Sequence, residues 1–205
     1  MRTADEVLAY WFGAPATTEA EIMTQVRRWF SGGDMDAEVR ERFGETVEAA
    51  LAGELDGWAD EPRGRLALVI LLDQLTRNTL RDDPGMYAGD GKAQRLALDA
   101  FDRGLDARLA WVEQLFLSMP LLHSEDPGLL RRAGEIARAM AAEAQPPYDR
   151  MSAMHLEQTA KYLGIVERFG RFPHRNAILG RTSTAEEEDF MRTWAERGPP
   201  RGGRG

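Results

Sequence analysis

The sequence contains no cysteine. That absence excludes disulfides, thiolate nucleophiles and cysteine-ligated zinc. Lysine is nearly missing too, since Lys92 and Lys161 are the only two among 26 basic residues. A cluster of arginines therefore stands out less here than it would in a lysine-rich chain. Long apolar runs are also lacking. The longest, Leu66 to Leu72, is far short of the roughly 18 residues that a membrane span needs. Near the N-terminus, Asp5 and Glu6 fall where a secretory leader would place its apolar stretch. A cytoplasmic protein with no membrane partner is the expectation.

Positive charge is not in excess. A net charge of -8 disfavours nucleic acid as a partner, because phosphate backbones repel an acidic surface. The three histidines, at 123, 155 and 174, lack ligand spacing, so no metal is expected. No glycine-rich phosphate loop, serine nucleophile elbow or dinucleotide fingerprint occurs, and no cofactor is expected. What remains is the composition of a folded chain: 43% apolar and 29% charged over 205 residues. That length suits one core, so residues 1–197 are expected to form a single helical domain and 198–205 a disordered tail.

Successive caps and apolar stripes predict an all-α fold of about eight or nine helices, with no convincing strand. Thr3 with Glu6 forms a capping box, and Gly13 closes a helix whose Val7, Leu8, Trp11 and Phe12 share a face. Asp34 is the expected cap of a second helix, ending at Gly53. Pro62 opens a third, through RLALVILLDQL, whose middle is apolar all round and so reads as buried. Asp90 and Gly91 precede the next, which ends at Gly104. Asp106 begins another that Pro120 interrupts. A long helix follows Asp126-Pro127, and a further one runs from near Asp149 to Gly170. Ser183 and Thr184, with Glu186 and Glu187, announce the last, expected to end near Gly198. Short turns between helices suit an array of antiparallel pairs. The aromatic pairs Trp11-Phe12 and Trp29-Phe30 read as core, and His155 as structural.

Three polar motifs stand out from this core pattern. The densest is FGRFPHRNAILGR, Phe169 to Arg181. Gly170 and Pro173 define a corner that places the amides of His174, Arg175 and Asn176 in the first turn of a short helix, expected to run to Gly180. There they would lack partners and favour an anion. Arg171 and Arg175 can add bidentate contacts to a carboxylate or phosphate, and His174 can exchange a proton near neutral pH. The same residues also suit a purely structural corner. In LLDQLTRN, Asp73 and Arg77 lie four apart with Gln74 and Asn78 beside them, as a structural ion pair or as part of the same pocket. In MPLLHSEDP, His123, Ser124, Glu125 and Asp126 precede a helix, serving either as its cap or as acid–base groups.

YWFG, LLDQxxRN, MPLxHSED and FGRFPHRNxxLGRxSTxEE, in this order, resemble the family known as domain of unknown function 924. The resemblance runs from Tyr10 to Phe190 and implies an all-α fold similar to the tetratricopeptide-repeat superhelix. It implies no particular activity. It marks Asp73, Gln74, Arg77, Asn78, His123, Ser124, Glu125, Asp126, Arg171, His174, Arg175, Asn176 and Arg181 without assigning roles. The chain departs from the family pattern at Leu75-Thr76, where Phe-Pro is usual, at Leu122, where Glu is usual, and at Tyr162, where His is frequent.

Two functions fit these residues. One is a polar, Arg/His-lined pocket for an anionic small molecule, with hydrolytic acid–base chemistry from His174, His123, Asp126 and Glu125. Arg171, Arg175, Asn176, Arg181, Arg77, Asn78, Asp73, Gln74 and Ser124 would then bind substrate. The alternative is a tetratricopeptide-like module that holds a peptide carboxylate without catalysis.

Overall fold

Local capping chemistry sets where most of the helices begin. The computed structural model describes residues 1–30 and 32–196. Among these it contains helices and turns and no strand. The helices are α1 (Ala4–Phe12), α2 (Glu19–Trp29), α3 (Asp36–Ala52), α4 (62–79), α5 (Asp90–Asp102), α6 (Trp111–Leu122), α7 (Pro127–Glu143), α8 (Asp149–Phe169) and α9 (Ala185–Glu196). Thr3 and Glu6 close their capping box at α1. Thr184 and Glu187 do the same at α9, with the Glu187 amide 3.2 Å from Thr184 Oγ1. The expected tail falls outside the described residues, as does an end of α9 at Gly198.

Four local expectations change. Helix α2 was not anticipated, although Thr18 and Glu21 form a capping box at its start. The N-cap position of α3 is Met35, not the expected Asp34. Asp106 lies in a separate short 3₁₀ turn, and α6 starts later, at Trp111. Pro120 does not interrupt α6, which continues to Leu122. The proline has no N–H for the carbonyl four residues earlier, yet the helix runs two residues past it.

The core forms around α4, whose Leu66, Ala67, Leu68, Ile70, Leu71 and Leu72 are all completely buried. Trp11, Trp29 and Phe116 join it from α1, α2 and α6, with rings of Trp29 and Phe116 4.7 Å apart. A smaller apolar cluster of Leu130, Ile165, Val166 and Phe172 sits where α7 and α8 meet the segment after α8, covered by Phe190 and Trp194 of α9.

One close backbone approach ties α4 to α5. A Cβ on Gly89 would stand 2.2 Å from the Leu72 carbonyl oxygen. Only glycine lets the start of α5 come so near, and the next residue is Asp90. Gly89→Ala is expected to cost about 3 kcal/mol or more, because the obstacle is main chain and cannot rotate away. Urea unfolding would measure it. A loss below about 1 kcal/mol would show that the two segments separate freely.

Candidate functional site

Within α4 the residues Ile70–Leu75 adopt the wider π-helical winding. The Thr76 amide and Oγ1 both reach back to the Leu71 carbonyl, five residues earlier, the latter at 2.7 Å. Such widened turns shift side chains out of α-helical phase and recur at functional sites. Here the segment carries Asp73, which is entirely buried.

Asp73 is the hub of a polar network inside the fold. Both of its oxygens face His123 Nδ1, at 2.8 and 3.0 Å. Gln74 Nε2 donates to it as well. Arg77 pairs with it at 3.2 Å and also reaches Asp90 at 3.0 Å. Arg175 approaches Asp90 at 3.4 Å and donates to the His123 carbonyl at 2.8 Å. Its guanidinium carbon lies 4.6 Å from the Tyr87 ring and 4.8 Å from the Phe172 ring. Burial alone would raise the Asp73 pKa. The charge of Arg77 and the contact with His123 overcome it and hold the carboxyl far below the usual range. At Asp90 burial prevails over the pull of Arg77, and its pKa is raised.

His123 stands at the C-terminal end of α6, its amide bonded to the Met119 and Pro120 carbonyls. Its side chain is one-fifth exposed, and only Nδ1 takes part in a hydrogen bond among the described residues. The ring is thus oriented by Asp73 from one side and open at Nε2 on the other. A carboxylate on one imidazole nitrogen fixes the tautomer and orientation of the ring.

The corner after α8 is held by the chain's own carboxylates. The Phe172 amide donates to Glu125 Oε1 at 2.7 Å, and Arg181 forks onto the same carboxylate at 2.8 and 2.9 Å. Burial opposes ionisation of Glu125, but these donors keep its pKa below the ordinary value. Arg171 forks onto Glu187, which it holds down at about 2. Two of the three amides expected to face outward are not free. Those of Arg175 and Asn176 close a short 3₁₀ turn onto the Phe172 and Pro173 carbonyls. The turn spans only Pro173–Arg175, so it is not the short helix expected to reach Gly180, and it has no helix dipole to offer.

The three motifs therefore meet. Asp73 joins LLDQLTRN to His123 of MPLLHSEDP, and His123 and Glu125 join that motif to Arg175, Phe172 and Arg181 of FGRFPHRNAILGR. Not every candidate takes part. Asn78 donates to Asp36 at 2.9 Å, in a separate network with Arg81. Ser124 Oγ accepts from the Asp126 amide, and Asp126 caps α7 through Gly128. Asn176 donates to Ser183 Oγ at 3.0 Å. His174 stacks 5.3 Å from Phe172 and 6.2 Å from Trp194, and burial lowers its pKa to about 4. Asp90 and Tyr87 were missed. Both belong to the site, but Asp90 reads locally as no more than a helix start. Of the departures from the family pattern, Leu122 is buried in the core, and Tyr162 lies 5.1 Å from Phe172 at the edge of the cluster.

Two cavities, of about 700 and 390 Å³, lie elsewhere, and none of the candidate residues lines either. Among the described residues no three His, Asp or Glu side chains converge as metal ligands. No described helix is long and apolar enough to cross a membrane.

A family model described as "Bacterial protein of unknown function (DUF924)" matches residues 7–194. In fold the chain is similar to the solved structure of a protein of unknown function from Agrobacterium tumefaciens. The two are 32% identical with a TM-score of 0.77, over 93% of this chain and 97% of that one. Comparison with curated proteins finds no match.

Proposed function

The chain belongs to this bacterial family of unknown function, and from that premise we propose that Asp73 and His123 form an acid–base pair that hydrolyses a small anionic substrate. The observation that carries the reading is the Asp73 carboxylate, fully buried and 2.8 Å from His123 Nδ1, while Nε2 takes no hydrogen bond among the described residues and the His123 side chain is one-fifth exposed. In the proposed reaction Nε2 takes a proton from water as the oxygen attacks an acyl or phosphoryl centre. The imidazolium, stabilised by Asp73, then returns that proton to the leaving group. Arg77 and Gln74 keep Asp73 in place. The substrate's anionic group is assigned to Arg181, whose pair with Glu125 is about one-quarter exposed on each side, at 24% and 28%. A ligand anion would take the place of Glu125 there. Arg175, by contrast, is buried and serves to position the His123 main chain.

A panel of chromogenic carboxylic and phosphoric esters, each bearing a second anionic group, tests this. One class should be turned over. His123→Gln, whose amide can still donate to Asp73, should reduce kcat/KM by roughly 10²–10⁴-fold. Arg181→Gln should mainly raise KM. Turnover that persists in His123→Gln would refute the mechanism. Saturable binding of a peptide carboxylate without turnover of any ester would favour a binding module instead.

A further inference from the structure

Tyr87 belongs to the acid–base cluster, yet the proposed reaction leaves it without a task. The chain fixes it from both sides. Asp83 caps the short 3₁₀ turn Pro84–Tyr87, accepting from the Gly85 amide at 2.7 Å. Two residues beyond Tyr87, Gly89 packs closely against the Leu72 carbonyl. Asp90 then pairs with Arg77 at 3.0 Å. The Tyr87 ring lies 4.6 Å from the Arg175 guanidinium carbon and 5.7 Å from that of Arg77. Two guanidiniums beside a phenol ring hold it in place without using its hydroxyl.

That hydroxyl has no partner. Tyr87 is half-buried, and its Oη takes no hydrogen bond among the described residues. Burial raises the phenol pKa against the charges of Arg175, Arg77 and Arg181, all of which act on it, with Asp90 adding to burial. Tyr87 therefore stays a neutral donor at neutral pH. The cations around it are incompletely paired. Arg175 is buried, and among the described residues its one ion-pair partner is Asp90, at 3.4 Å, which Arg77 also holds. Its Nε has no hydrogen-bond partner. Burial and the charge of Arg77 outweigh Asp90 and Glu125 and lower the Arg175 pKa, the mark of a cation that its surroundings do not fully compensate. An anion beside Arg181 would gain from that charge and from a donor that has nothing else to bond.

We infer that Tyr87 is a substrate-binding residue of this site, its hydroxyl donating to the anionic group that Arg181 holds. That role rests on the acid–base reading, which puts the substrate there. Benzoate and phenyl phosphate, titrated calorimetrically, probe the binding itself and separate carboxylate from phosphate. The wild type should bind one of them saturably. Tyr87→Phe keeps the ring beside both guanidiniums, so its melting temperature should match the wild type. It should bind that probe about tenfold more weakly or worse, and raise KM for the matching ester by a similar factor. Arg181→Gln should do the same. The double variant should lose less than the product of the two, because both side chains hold one group. The role is overturned if Tyr87→Phe leaves both probe affinity and KM unchanged, or if the wild type neither binds a probe at millimolar concentration nor turns over an ester. Marked destabilisation of Tyr87→Phe also overturns it, since the hydroxyl would then serve the fold. The two readings fail separately. Probe binding that is lost in Tyr87→Phe, with no ester turned over, removes the acid–base chemistry alone. Turnover that needs His123 and ignores Tyr87→Phe removes Tyr87 alone.

Discussion

Asp73→Asn is expected to destabilise the protein by about 3–5 kcal/mol, although it changes neither size nor shape. The buried cluster contains two guanidiniums, Arg77 and Arg175, and two carboxylates, Asp73 and Asp90, linked in a chain by contacts of 3.0 to 3.4 Å. Neutralising Asp73 leaves one positive charge uncompensated at a largely buried position. The amide also presents a donor toward Gln74, which already donates at that position. For a chain of this length such a loss corresponds to a fall in Tm on the order of 10 °C.

A double substitution separates lost pairing from lost packing. Asp73→Leu with Arg77→Met removes one charge of each sign and leaves Arg175 facing Asp90. Replacing both members of a buried pair with apolar groups is often close to neutral, whereas removing one is not. The double variant should therefore recover a large part of the loss. Urea unfolding of both variants decides the matter. If Asp73→Asn loses less than about 1 kcal/mol, Asp73 is not ionised and paired as described, and its role in orienting His123 falls with it.

The limits of sequence reading show in which contacts were foreseen. Thr3 with Glu6 and Thr184 with Glu187 were legible because a capping box acts within four residues. The same logic would have found α2 from Thr18 and Glu21. The π-helical segment was not legible: an all-round apolar stretch such as LALVILL has no phase from which an extra residue in the winding could be read. The convergence of the three motifs was legible as residue type and not as pairing. Arg175 reads as an outward cation beside free amides, yet it meets Asp90, 85 residues earlier, in the interior. Which carboxylate a buried arginine finds depends on how α4, α5 and α6 pack, and no local pattern encodes that.

Stability should fall steeply as the pH drops from about 6.5 to 4, ahead of any carboxylate effect. Two histidines are kept neutral by the fold. His155 is buried, with Nε2 3.2 Å from Ser118 Oγ, and burial, aided by the nearby His123, lowers its pKa from 6.5 to about 4. His174 reaches about 4 for the same first reason, with Arg175, Arg181 and His123 adding to it and Glu125 opposing. The unfolded chain protonates both rings below pH 6.5, and the folded chain resists until about 4. Their stabilisation is thus complete above pH 6.5 and lost progressively through that window. Each ring contributes about 2–3 kcal/mol and a slope of up to about 1.4 kcal/mol per pH unit. Asp73 cannot produce this fall, because its folded pKa lies below the window and its contribution persists there. Asp90, whose pKa is raised, acts in the opposite direction and favours folding as acid is added. Chemical unfolding at several pH values isolates the cause. His174→Phe keeps the ring between Phe172 and Trp194 but cannot titrate, and His155→Gln keeps a polar partner for Ser118. Each should flatten the slope by up to one proton, and together they should nearly abolish it. Stability that is flat between pH 7 and 5 in the wild type would mean that both rings reach solvent, contrary to the stack that docks α9.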